Sequence, residues 1–80
     1  MNDPEILKHI EDLVKEEHQL TQQSQRGGLS EDEHKRMQQL EVSLDQCWDL
    51  LRQRRALRSA HLNPDEAVVR DADIVEHYKQ

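Results

Sequence analysis

Four arginines fall within seven residues of this chain: Arg52, Arg54, Arg55 and Arg58. A guanidinium offers carboxylates and phosphates a planar fork of N–H donors. A cluster this dense is therefore the chain's first candidate for binding chemistry, a patch for an anion or an acidic partner. The competing assignment is structural. The cluster lies near the end of a helical pattern, where positive charge complements the helix dipole. Asp3, Glu5, Asp45 and Asp49 are natural salt-bridge partners. Arg54 and Arg58 also continue an apolar seam, which favours buried pairing with carboxylates over free display.

The remaining reactive residue types give no catalytic arrangement. Cys47 falls on the seam, where a free cysteine acts as a small hydrophobe; a catalytic thiolate needs exposure and a neighbouring positive group. No two of His9, His18, His34, His61 and His77 are three or four positions apart. They therefore lack the shared helical face that an i,i+4 metal pair requires. Gly27-Gly28 is not followed by the Lys-Ser/Thr of a phosphate loop. The expectation is no catalytic residue, no metal, no cofactor and no enzyme activity.

The elements that must position the arginines are helices. From Ser30 to about residue 60, Met37, Leu40, Leu44, Cys47 and Leu51 recur at alternating spacings of three and four. That is a heptad seam, the mark of a helix packed lengthwise on another. Ser30 and Glu33 form a capping box at its start. An earlier seam runs through Ile6, Ile10, Leu13, Leu20 and Ser24, with Glu17 in one of its slots. Asp3 is the expected N-cap and Pro4 the first helical residue, with fraying near Gln25 and termination at Gly27-Gly28. The short connection makes the two helices antiparallel neighbours. The resulting register sets Leu20 beside Met37, Glu17 beside Leu40, Leu13 beside Leu44, Ile10 beside Cys47 and Ile6 beside Leu51. Asn63-Pro64 opens a third segment with Ala67, Val68, Ile74, Val75 and Tyr78 as its apolar face. Asp71 or Asp73 is placed to cap a second short helix within it. The expected fold is all-α: an antiparallel hairpin of helices over about 4–25 and 31–60 plus a short C-terminal helical segment.

Composition limits the rest. The 80 residues are 35% charged and 34% hydrophobic, contain no Phe, and carry a net charge of −6. This is one domain, with a small core. The acidic balance disfavours DNA and anionic membranes, and no apolar run approaches the ~20 residues of a membrane span. A lone cysteine and the lack of a signal-peptide pattern lead to a cytoplasmic expectation. A two-helix hairpin of this size is marginal by itself, and Leu7, Val14, Trp48 and Leu50 lie beside the seam rather than on it. The open side is expected to be covered by the C-terminal segment, by a second copy, or by both. Homodimerisation into a four-helix bundle is the simplest solution. Leu40, Leu44, Cys47, Trp48 and Leu51 are assigned to the packing and dimer surface, with Trp48 as a core or dimer anchor.

The run LSEDEHKRMQQLEVSLDQCWDLLRQRRALR, with NPDEAVVR and VEHYKQ after it, resembles a small actinobacterial family, the domain of unknown function 2630. Its most distinctive part is Leu44–Arg58. The resemblance covers nearly the whole chain and implies a short, cytoplasmic helical protein; it carries no activity, cofactor or catalytic residue. Function is thus expected to be non-enzymatic: self-association and binding of a protein partner, with the arginine cluster as the electrostatic part of the partner site. The alternative is a nucleic-acid-associated or anion-binding regulator that uses the same arginines.

Overall fold

A computed structural model describes residues 1–78, with side chains through Glu76. Two long helices, α1 (Asp3–Gly27) and α2 (Glu31–Ser59), form an antiparallel hairpin. A 3-10 turn (Pro64–Glu66) and a short helix, α3 (Ala72–Tyr78), follow and dock on α2. The molecule is a rod of 50 × 26 × 16 Å. The described residues contain no strand.

The helix ends follow from local chemistry. Asn2, not Asp3, caps α1: its side chain accepts from the Glu5 backbone N–H, and the Glu5 carboxylate accepts from the Asn2 N–H. The expected cap is thus corrected by one residue. Asp3 becomes the first helical residue, and its carboxylate is left for other work. The helix persists through Gln25 to Gly27. Gly28, at φ 84°, ends it with its N–H on the Ser24 carbonyl. Ser30 and Glu33 form the expected capping box on α2. At the far end His61 takes a left-handed φ of 61° while the Leu62 N–H reaches the Leu57 carbonyl at 2.8 Å. This is the Schellman closure, here made by a residue other than glycine.

The seam, joined by the off-seam Leu50, forms the core. Ile6, Ile10, Leu13, Leu40 and Leu50 are buried, and Leu44, Cys47, Leu51 and Ala67 pack on the Ile6–Ile10–Leu50 cluster. Ion pairs tie the hairpin at both ends, Asp3 with Arg54 and Glu16 with Arg36. Arg36 therefore reaches across to α1.

The last segment breaks in two, as the capping signals allowed. Asn63 accepts from the Asp65 N–H at the 3-10 turn, and Asp71 accepts from the Asp73 N–H at α3. Between them the chain is a non-helical strap along α2. Only part of its predicted apolar face turns inward. Val75 is buried and Ala67 half-buried, while Val68 and Ile74 point outward. The strap is held by polar contacts to its backbone instead: Gln53 donates to the Val68 carbonyl and Gln46 to that of Arg70. The side chain of Tyr78, the last member of that face, lies outside the described residues.

Candidate functional site

The arginine cluster divides into two pairs. Arg54 is the inward pair's centre, with a side chain only 7% exposed. Its Nε donates to the Asp3 carboxylate at 2.5 Å, and its Nη1 donates to Asp65 at 3.0 Å and to the Pro64 carbonyl at 3.2 Å. Arg58 donates to the second Asp3 oxygen at 2.7 Å. Hydrogen bonds from Arg58 and Arg54 hold the Asp3 carboxyl at a pKa of about 2, below its ordinary 3.8. These two arginines join the start of α1, the end of α2 and the 3-10 turn. Of the expected carboxylate partners Asp3 is engaged, Glu5 serves the cap of α1, and Asp49 turns to another residue.

That residue is Arg70. Its Nε and Nη2 donate to the two oxygens of Asp49, which also accepts from Gln53. Asp49 is 2% exposed. Burial alone would raise its pKa; the Arg70 bonds outweigh that and hold the carboxyl below its ordinary range. The pair clamps the strap to α2.

Arg52 and Arg55 form the outward pair. With Gln53, Ser59 and Arg70 they line a shallow groove of about 460 Å³. Arg54 and Arg58 thus fasten the fold, while Arg52 and Arg55 line its surface, Arg52 also acting on Asp49 within the chain.

The predicted packing residues are also distributed. Leu40 is fully buried; Leu44, Cys47 and Leu51 are half-buried. Trp48 is 48% exposed and stands outside the core of the protomer. Its position follows from helix geometry. In an antiparallel pair, residues directly after seam positions turn to the same side of both helices. Leu7, Val14 and Trp48 follow Ile6, Leu13 and Cys47. They share one flank, with Trp48 between the other two along the rod. All three are exposed. Leu50, which directly precedes a seam position, turns to the opposite flank and is covered by the strap.

Beside Trp48 lies a groove of about 640 Å³ with Val42 and Leu44 as apolar wall and Glu17, Glu41, Asp45 and Glu76 as acidic rim. The bare flank is thus apolar at its centre, acidic toward the start of α2 and basic toward its end. The Cys47 thiol is pushed up by burial, opposite to the shift a nucleophilic cysteine needs. Among the described residues no group of three or more His, Cys, Asp or Glu could hold a metal ion, and no helix is long and apolar enough to cross a membrane.

The sequence reading missed the Asp49–Arg70 clamp. Asp49 sits on the helix face farthest from the seam, where an acid is ordinarily solvated, and no periodic pattern announces a strap. The available signal was the pair Gln46 and Gln53, one heptad apart on the neighbouring edge, both able to donate to a backbone.

Residues 2–80 match the family described as protein of unknown function (DUF2630). The chain is similar to uncharacterized proteins of Mycobacterium tuberculosis and Mycobacterium bovis. Each is 57% identical over 77 residues, which cover 95% of this chain and 88% of the relative. No solved structure matches.

Proposed function

We propose that this chain, which belongs to the DUF2630 family, is a non-enzymatic helical association module that pairs with a second copy of itself and presents the assembly to a protein partner, most simply in the cytoplasm. One observation carries the reading. The strap covers one flank of the hairpin, while the other leaves Leu7, Val14 and Trp48 in water. A small protein gains by burying such a ridge, and tryptophan and arginine side by side are the usual composition of an interface centre. Arg52 and Arg55 supply the electrostatic edge of the surface; Arg54 and Arg58 keep the hairpin closed.

The test is sedimentation velocity from 1 to about 200 µM. A concentration-dependent shift to a species of twice the mass is expected, and a monomer throughout that range overturns the reading. The groove shared by Arg52, Arg55 and Arg70 favours a second reading, an anion- or nucleic-acid-binding regulator. Its sign would be binding that weakens steeply with salt. The acidic rim on the same flank and the net charge of −6 weigh against it.

A further inference from the structure

We infer that α2 meets the same helix of a second copy in antiparallel fashion, with the two-fold axis at Trp48, so that Glu41 of each copy faces Arg55 of the other. This rests on the self-association proposed above and specifies its geometry.

The charge order along the bare flank of α2 supports it. Glu41 precedes Trp48 by seven positions and Arg55 follows it by seven. Residues seven apart share a helix face with little drift, and at 1.5 Å per residue each lies ~10 Å from the tryptophan. All three side chains are exposed. Between them Asp45 lies on the acidic side and Arg52 on the basic side, both already engaged within their own chain. The stripe therefore reads acid, tryptophan, base, and reverses its sign about Trp48.

A surface with that order complements itself in one direction only. If two copies face each other with their α2 helices parallel, Glu41 meets the partner's Glu41 and Arg55 meets the partner's Arg55. If they run antiparallel about Trp48, both ends are matched at once, and the partner's Arg55 enters the acidic groove beside Trp48. A wholly acidic partner would be repelled by the Glu41 end, and a wholly basic one by the Arg55 end. Two-fold symmetry makes a patch its own complement, and the apolar centre of Trp48, Leu7 and Val14 supplies what the charges orient.

Reversing charges tests this directly. Glu41→Arg and Arg55→Glu are both solvent-facing changes, and circular dichroism should show unchanged helicity. Each contact occurs twice by symmetry, so either variant alone should weaken homodimerisation about tenfold or more at low salt. An equimolar mixture of the two should pair as a heterodimer, and the double variant should recover the homodimer. If the wild-type chain dimerises and the single reversals dimerise equally well, the two-fold at Trp48 is wrong while self-association stands. If the single reversals weaken dimers and neither the mixture nor the double variant restores them, the Glu41–Arg55 pairing is wrong. If the wild-type chain is monomeric, the function proposed above fails with it.

Discussion

Removing Arg70 should damage the protein more than removing the aspartate it binds. Asp49 is 2% exposed, and its partners at the clamp are Arg70 and Gln53, whereas the Arg70 side chain keeps 37% of its surface in water. Arg70→Ala leaves a carboxylate in the interior with one neutral hydrogen-bond donor, Gln53, and only the field of Arg52 to offset its charge. Stranding one member of a buried pair costs about 3–5 kcal/mol. Asp49→Ala leaves a guanidinium that can turn back to solvent. That loss is closer to the value of a charge-assisted hydrogen bond, about 1.5–3 kcal/mol. The assay is urea unfolding followed by helical circular dichroism. A chain this small has a slope of about 1 kcal/mol per molar, so the two midpoints should differ by roughly 1–2 M. Replacing both residues by leucine should recover much of the loss, because apolar packing frequently matches or exceeds a buried ion pair. If Asp49→Ala proves as harmful as Arg70→Ala, or worse, the carboxylate is not the desolvated member, and the reasoning fails.

Other outcomes follow from the same contacts. Asp3 and Asp49 both have folded pKa values below their ordinary ones, so their stabilising effect is present above about pH 4 and is lost in more acid solution, for Asp3 as pH falls through about 2. The urea midpoint should be flat from pH 7 to 5 and drop below 4, and Asp3→Asn should make that acid limb shallower; an unchanged limb would remove Asp3 from the account. His61→Gly should raise thermal stability by up to ~1 kcal/mol, because glycine takes the left-handed turn without strain. Gly28→Ala should lower it by a similar amount; equal melting temperatures for wild type and both variants would contradict the end geometry. Leu40→Ala, at a side chain with no exposure, should cost about 2–5 kcal/mol in a melt, and a loss under 1 kcal/mol would mean that the seam is not packed there.

The hairpin was legible because its rules are local and periodic. Seam spacing placed the inward faces, and Ser30 and Gly28 marked the ends. The short connection forced antiparallel neighbours. Asp3 and Arg54 could be paired in advance because both lie on the register that sets Ile6 beside Leu51. The strap followed no such rule. It is held by Gln46, Gln53 and Asp49 acting on a backbone and one arginine, and hydrogen bonds to carbonyls leave no pattern in the residue types that supply them. Asn2 was passed over as a cap because Asp3, next to Pro4, satisfies the same rule. The two half-faces of the candidate surface were visible as off-seam apolar residues. Which of them stays bare depended on where the strap lay: it covers Leu50 and leaves Leu7, Val14 and Trp48.

Trp48 fluorescence across a dilution series tests the bare flank most directly, since the chain has no other tryptophan. At 1 µM its emission should be red-shifted and readily quenched by acrylamide, as for the 48% exposed ring of a single protomer. By about 200 µM the emission should move to the blue and the quenching should fall as a second copy covers it. An emission maximum and quenching constant that stay the same over that range would contradict the account.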